Sequence, residues 1–171
     1  IIRQAYFEHP LYVPLVQRAY ALWADLERNS GRQLLLQTAG VTVGPREGKL
    51  VTGAGRSARE HQLDYRLLSR DELRHQFPAL EPAQNQVAVW EPRAGILFPE
   101  LIVQSHLELA AQHRAALRFK EPVVRWEAGR SGVRVFTAAN SYTADRLLLA
   151  TGAWMSSTAP ELKSWLTVER Q

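Results

Sequence analysis

The most restrictive feature of the sequence is the apolar run Leu147-Leu148-Leu149-Ala150, which leads directly into Thr151-Gly152-Ala153-Trp154. A run this short and this apolar is typical of a parallel strand that is covered on both faces of its sheet. Such strands end where ligands bind, and a glycine there allows the backbone to approach a ligand closely. The pattern predicts a buried strand over 146–150 that ends at a ligand. A plain strand-to-helix turn with a core tryptophan is the alternative.

Helical and strand patterns alternate along the rest of the chain. Apolar residues at three- and four-residue spacing predict a helix over 11–28, which Ser30-Gly31 ends. Ser69 and Glu72 have the spacing of a capping box, and Pro99 suits the first turn of a further helix. The other predicted elements are a weak helix over 50–62 and strands at 34–36, 41–43, 67–68, 86–90, 123–126 and 133–136. This succession predicts an α/β fold, with α+β character in its middle part.

Composition excludes several classes of function. The 21 Lys and Arg residues exceed the 17 Asp and Glu residues, but the arginines are dispersed and form no basic stripe, so no nucleic-acid partner is predicted. No apolar run approaches the ~18 residues that span a bilayer, so no membrane partner is predicted. The chain has no cysteine, which fits a cytoplasmic location. Its five histidines lack the spacing of a helical zinc site, so no metal is predicted.

Two local patterns have competing interpretations. Gly53-Ala54-Gly55-Arg56-Ser57-Ala58 matches the dinucleotide fingerprint G-x-G-x-x-A, but no buried strand precedes it, so the match is interpreted as accidental. Arg3 is close in sequence to Tyr6 and Glu8, and a guanidinium is the natural partner of a substrate carboxylate. From spacing alone, a structural ion pair between Arg3 and Glu8 is the better interpretation.

A resemblance to one family extends these observations along the whole chain. The segments that carry it are Ile1-Ile2-Arg3-Gln4-Ala5-Tyr6, Tyr12-Val13-Pro14-Leu15, Leu22-Trp23-Ala24-Asp25-Leu26, Glu91-Pro92 with Gly95 and Leu97, Ser141-Tyr142-Thr143-Ala144-Asp145, Gly152-Ala153-Trp154 and Arg170-Gln171. In this order they resemble the monomeric sarcosine oxidases and N-methyltryptophan oxidases, which are FAD-dependent amine oxidases of the D-amino-acid oxidase-like superfamily. One departure is Arg114, which stands where that family places a glycine after a helix.

The resemblance implies two domains that are each divided in sequence. Residues 1–39 and 101–162 are expected to belong to a Rossmann-like FAD-binding domain. Residues 40–100 are expected to belong to a mixed-sheet substrate domain, to which residues 163–171 return.

The resemblance also implies roles for particular residues. Arg3 is expected to bind the substrate carboxylate, with Tyr6 and Glu8 in a mobile segment near the entrance. The backbone of Val123 is expected to contact the adenine end of FAD. The strand end that runs beside the cofactor is expected to comprise Ala150, Thr151, Gly152 and Trp154.

No catalytic residue is expected within this span. The resemblance places the phosphate-binding glycine turn before Ile1, and the oxygen-activating lysine and flavin-tethering cysteine after Gln171. The chain alone is therefore expected to bind FAD poorly and to be inactive without the remainder of a longer parent protein.

The activity implied for the parent is oxidation of a secondary or N-methyl amino acid to an imine, with O2 reduced to H2O2. Two alternatives stay open at this point. In the first alternative, the parent is a related FAD-dependent dehydrogenase or D-amino-acid oxidase-like enzyme with another electron acceptor. In the second, it is a truncated remnant without catalytic activity.

Overall fold

Two units make up the chain in the computed structural model, Ile1–Ala116 and Leu117–Gln171. The structure describes residues 1–169, so the Arg170-Gln171 pair of the family resemblance lies outside the described residues. In the first unit, helix α1 spans Tyr12–Ser30 and ends at Gly31, whose φ of 68° is left-handed. The Gly31 amide donates to the carbonyl of Glu27 at 2.8 Å. Both the helix and its glycine stop are confirmed.

The rest of the first unit consists of two small antiparallel sheets and three helices. Strands β1 (Leu35–Gln37) and β5 (Gly95–Leu97) pair with each other. Strand β4 (Gln86–Glu91) lies between β2 (Gly40–Pro45) and β3 (Arg66–Leu68). The helices are α2 (Lys49–Glu60), α3 (Arg70–Gln76) and α4 (Pro99–Gln112). The short strand β5 was not expected from the sequence.

The ends of α3 and α4 follow local sequence signals. The Ser69 hydroxyl accepts from the Glu72 amide at 3.3 Å, and the Ser69 amide donates to the Glu72 carboxylate at 2.7 Å. The predicted capping box is thereby confirmed, and it lowers the pKa of Glu72 because the Ser69 hydroxyl and amide stabilise its charge. Pro99 is the first residue of α4. After this helix, Arg114 adopts a φ of 64° where the related family has glycine.

Four buried clusters form the core of the first unit. The cluster beneath α2 joins its Val51, Ala54 and Ala58 to Ala5 and to strand β4. A second cluster joins Ile2 to Val16 and Tyr20 of α1. The other two clusters are centred on Leu26, Leu34 and Ile102, and on Leu68, Leu73 and Ala88. Ile2 and Ala5, which belong to no helix, are thus part of the core.

The second unit begins with an antiparallel meander. Strands β6 (Val123–Gly129), β7 (Gly132–Thr137) and β8 (Ser141–Ala144) pair in sequence order. A short helix, α5 (Met155–Thr158), follows between 3-10 turns at Gly152–Trp154 and Pro160–Leu162. The Trp126 indole donates to the Thr158 carbonyl at 2.8 Å and so ties β6 to α5.

The strand predicted over 146–150 is wrong for the described chain. These residues pair with no strand between residues 1 and 169, and Leu148 is 89% exposed. A strand takes its backbone hydrogen bonds from a neighbouring strand, so an apolar sequence alone does not create one.

The mixture of helices and strands predicted from the sequence is confirmed by these elements. Within the described residues, no helix is both long enough and apolar enough to span a bilayer.

Candidate functional site

Residues 2–8 are fixed by contacts from distant parts of the first unit. The amide and carbonyl of Ile2 each bond to Gly95 at 2.9 Å. The amides of Gln4 and Ala5 donate to the Glu91 carboxylate at 2.9 and 2.7 Å. The Ser57 hydroxyl donates to the carbonyl of Tyr6. The backbone that carries Arg3, Tyr6 and Glu8 therefore has a defined path although it forms no regular element.

The accidental interpretation of the glycine pair at Gly53 and Gly55 is supported by its position inside α2. Amides inside a helix already bond to carbonyls four residues earlier and are not available to a pyrophosphate. Gly53 has another role, because a Cβ built there would lie 2.3 Å from the carbonyl oxygen of Phe7. Only glycine permits this approach between α2 and the segment that carries Arg3.

The structure brings the three predicted substrate-binding residues together. A terminal nitrogen of the Arg3 guanidinium (Nη2) lies 3.1 Å from Glu8 Oε1, so the ion pair expected from spacing forms. The guanidinium carbon lies 4.8 Å from the Tyr6 ring centre and 5.6 Å from that of Phe7. Tyr6 in turn stacks on Tyr12, with ring centres 5.4 Å apart. The Arg3 guanidinium thus lies within cation–π distance of two aromatic rings and is paired with a carboxylate.

Arg3 has one buried nitrogen without a partner among the described residues. Its Nε is buried and makes no hydrogen bond to any residue between 1 and 169. A buried donor without an acceptor is costly, so a water molecule or a ligand that supplies an acceptor there is favoured. The side chain as a whole is 30% exposed, so a small anion can reach the guanidinium.

A buried phenol lies close to this segment. The Tyr20 hydroxyl donates to the carbonyl of Arg93 at 2.6 Å. Burial, followed by the negative charge of Glu91, raises the pKa of Tyr20 to about 12. Tyr20 is therefore a neutral donor at physiological pH and not a base.

Part of the predicted cofactor-binding set lies around one cleft in the second unit. Its volume is about 770 Å³, and Val123, Thr151 and Trp154 line it together with residues of β6 and α5. Ala150 and Gly152 are not among the residues that line it. The Trp154 ring is 73% exposed, so it is not the core tryptophan of the alternative interpretation.

Sequence reasoning missed the residues that hold the segment. Glu91 and Ser57 were not predicted to have a role, and Gly53 was interpreted only through a motif. Glu91 did give one signal, because it is a charged residue between the apolar run Val87-Ala88-Val89-Trp90 and Pro92. A carboxylate that is 4% exposed needs partners, but no local pattern indicates that the amides of Gln4 and Ala5 supply them.

The family model described as "FAD dependent oxidoreductase" matches residues 1–170. The chain belongs to this FAD-dependent oxidoreductase family, whose cofactor is FAD, and the resemblance seen in the sequence is confirmed.

Within the family, the chain is similar to amine oxidases. It is 44% identical over all of its 171 residues to a monomeric sarcosine oxidase from Streptomyces avermitilis, of which it covers 44%. It is 34% identical over 95% of its length to an N-methyl-L-tryptophan oxidase from Salmonella arizonae, of which it covers 44%. The chain therefore spans less than half the length of these curated relatives.

A solved structure has the same fold. NikD, described as an unusual amino acid oxidase essential for nikkomycin biosynthesis, matches 94% of the chain with a TM-score of 0.82 at 21% identity. The chain covers 42% of NikD. This likeness supports the architecture of the described residues.

Proposed function

We propose that this chain is part of an FAD-dependent amine oxidase in which Arg3 binds the carboxylate of a secondary or N-methyl amino acid. The contacts of the Arg3 guanidinium are the observation that supports this role. The guanidinium is flanked by Tyr6 and Phe7, paired on one nitrogen with a carboxylate, and left with a buried Nε that has no acceptor among residues 1–169. A planar carboxylate can satisfy a guanidinium through two parallel hydrogen bonds.

In this proposal, Arg3 orients the bound substrate. A guanidinium held by contacts with Tyr6, Phe7 and Glu8 would bind a carboxylate in one direction and so direct the neighbouring amine carbon toward the cofactor. Tyr6 and Glu8 would adjust the access of substrate to Arg3, since both contact it directly. The proposed product is an imine, and O2 is the proposed electron acceptor, reduced to H2O2.

The cleft of the second unit is the proposed site for the flat parts of FAD. Val123 and Trp154 expose apolar surface there, and a tryptophan ring suits contact with an aromatic system. The glycines of α2 cannot hold the pyrophosphate, so the proposal assigns that group to parts of the parent protein outside this chain. FAD, when bound, accepts the electrons that leave the substrate carbon. Val123, Thr151 and Trp154, with Ala150 and Gly152 next to them in the sequence, would contact the cofactor.

The domain division belongs to the same proposal. Residues 1–39 and 101–162 would contribute to the FAD-binding domain, with residues 40–100 and 163–171 in the substrate domain.

The test compares two substrates in the flavin-loaded enzyme that carries this sequence. Arg3→Ala should raise the KM for a carboxylated N-methyl amino acid by about ten- to a hundred-fold, the loss expected for hydrogen bonds to a charged group. The KM for a neutral amine of similar size should change little. Arg18→Ala, which removes an exposed arginine from α1, is the matched control and should leave both values unchanged. Equal increases for both substrates would overturn the role of Arg3.

The electron acceptor is tested separately. Flavin reduction by substrate with stoichiometric peroxide supports the oxidase. Flavin reduction without peroxide would replace the oxidase by a dehydrogenase, and no reduction by any amine would favour the remnant.

A further inference from the structure

Glu91 is a buried carboxylate whose partners are backbone amides. It is 4% exposed and lies at the end of β4. A single oxygen, Oε2, accepts from the amides of Gln4 at 2.9 Å and Ala5 at 2.7 Å. Within residues 1–169, Glu91 takes part in no ion pair. Because buried carboxylates are costly without compensation, these two amides are what stabilise its charge.

The position of these amides matters for Arg3. The Gln4 amide belongs to the peptide plane that begins at the carbonyl of Arg3, and a peptide plane is rigid. On the other side, Ile2 is held through both of its backbone groups by Gly95. Arg3 therefore lies between two fixed points, and both are supplied by residues 91–95. The direction in which the Arg3 side chain leaves the backbone is set by this short stretch.

We propose that Glu91 is a positioning residue for Arg3. By binding the amides of Gln4 and Ala5, it fixes the backbone that directs the guanidinium and thereby sets the affinity of the enzyme for carboxylated amines. This inference rests on the proposed function of Arg3, and it predicts an effect on substrate discrimination and not only on stability.

The chain contains a matched control for this arrangement. Glu27 also accepts two consecutive amides with one oxygen, those of Leu34 at 2.7 Å and Leu35 at 2.9 Å. Its amides lie at the start of β1 and do not adjoin Arg3. A variant of Glu27 therefore removes the same kind of interaction without disturbing the backbone at Arg3.

The experiment measures KM and kcat of the flavin-loaded enzyme for a carboxylated N-methyl amino acid and for a neutral amine. Glu91→Ala should raise the KM for the carboxylated substrate by about ten-fold or more, since displacing a binding group by about an ångström has effects of this size. The KM for the neutral amine should stay nearly constant. Glu91→Gln keeps an acceptor of equal reach but loses the charge that strengthens both bonds, so it should raise the same KM by a smaller factor. Glu27→Ala should leave the ratio of the two KM values unchanged.

A double variant tests whether Glu91 acts through Arg3. In the Arg3→Ala background, Glu91→Ala should not change the ratio of KM values further, because the group that it positions is gone. An independent further change would overturn the positioning role. So would equal effects of Glu91→Ala on both substrates, or an effect of Glu27→Ala of the same size.

Hydrogen exchange provides a readout that does not depend on activity. Glu91→Gln should accelerate amide exchange in peptides covering residues 3–8, whereas Glu27→Gln should not. If Glu91→Ala does not fold, Glu91→Gln with this measurement and the same KM ratio decides the question. Unchanged exchange at residues 3–8 and an unchanged ratio would overturn the inference.

The two proposals fail in different ways. If Arg3→Ala leaves the KM ratio unchanged, the function of Arg3 is wrong and the positioning role is wrong with it. If Arg3→Ala changes the ratio but the Glu91 variants do not, only the positioning role is wrong.

Discussion

The two units of this chain differ in how they are held together. Residues 1–116 bury apolar side chains in four clusters to which helices and strands both contribute. Among residues 117–169, the apolar side chains of Val133 and Ala159 are buried, while Leu148 is 89% and Trp165 84% exposed. The first unit therefore derives its stability from apolar burial, whereas the described part of the second relies on strand pairing and polar contacts.

In the second unit, hydrogen bonds to Glu121 connect elements that share little buried apolar surface. Its carboxylate accepts from the Thr137 hydroxyl at 2.8 Å, the Asn140 amide at 2.8 Å and the Tyr142 hydroxyl at 2.9 Å. These bonds join the residues before β6 to the turn between β7 and β8. In the first unit, residues 2–8 are held by contacts with other residues of this chain. In the second unit, the apolar run over 146–150 has no strand partner among the described residues.

The largest expected effect comes from the same deletion made in both units. Leu34→Ala removes a fully buried side chain and should lower the free energy of unfolding by about 2–5 kcal/mol. Leu148→Ala removes the same atoms from an exposed position and should change it by less than about 0.5 kcal/mol. Urea denaturation followed by circular dichroism measures both. Equal losses would show that Leu148 is buried in solution and would break the comparison.

A smaller effect is expected where α2 meets residues 2–8. Gly53→Ala should destabilise the first unit by about 1–3 kcal/mol, because the added methyl group meets the Phe7 carbonyl. Gly55→Ala, two residues along the same helix, meets the mobile end of Arg59 at 3.3 Å. It should be neutral or stabilising by up to about 1 kcal/mol, owing to helix propensity. Thermal unfolding of both variants gives the comparison, and a loss at Gly55 as large as that at Gly53 would contradict it.

The left-handed backbone of Arg114, just after α4, predicts that a glycine there increases the stability of the first unit modestly. Arg114→Gly should stabilise it by about 1 kcal/mol, because glycine adopts the left-handed φ of 64° without steric cost. The neighbouring His113 has a φ of −82°, so His113→Gly should instead destabilise by about 0.5–1 kcal/mol. Chemical denaturation distinguishes the two. A loss at Arg114 would mean that contacts of its side chain outweigh the strain.

The smallest expected effect is a loss of stability of the second unit at acid pH. Hydrogen bonds from Asn140, Thr137 and Tyr142 lower the pKa of Glu121 below its ordinary value of 4.5. The folded state therefore favours the ionised carboxylate. This contribution is complete above pH 4.5 and is lost as the pH falls through the lowered pKa. Stability of the second unit should decline in that range, and Glu121→Gln should flatten the decline.

Removing one donor gives the control for the acid experiment. Tyr142→Phe should shift the midpoint of the decline toward higher pH, because one bond that stabilises the ionised form is missing. Unfolding measured at several pH values, with fluorescence as the signal, reports the shift. If the pH dependence of stability is unchanged in both variants, the hydrogen bonds of Glu121 do not contribute to the stability of the second unit.

Local signals predicted most elements of the first unit. The apolar spacing of α1, the glycine that ends it and the capping box at Ser69 each act over a few residues, so the sequence contains the full cause. The ion pair of Arg3 with Glu8 also spans a short distance along the chain. Strand β5 was missed because its three residues are defined by pairing with β1, a partner that no local pattern reveals.

The candidate site was only partly predictable. The resemblance to known oxidases identified Arg3, but not what holds it, because Glu91 is separated from Gln4 by 87 residues. The strand expected over 146–150 failed for the opposite reason. Its apolar sequence indicates burial, yet burial requires neighbours that the described residues do not provide.

The bond between Glu91 and Gln4 also imposes an order on events during synthesis. At ribosomal rates of about 5–20 residues per second, the 87 residues that separate the two take about 4–17 s to make. During that interval the Arg3 segment has neither Glu91 nor Gly95 to bind. The segment that carries Arg3, Tyr6 and Glu8 therefore becomes ordered only after Glu91 has been made, although it is translated before β4. In the nascent chain, Ala5 lacks the cover that Val87 and Val89 of β4 provide in the folded protein.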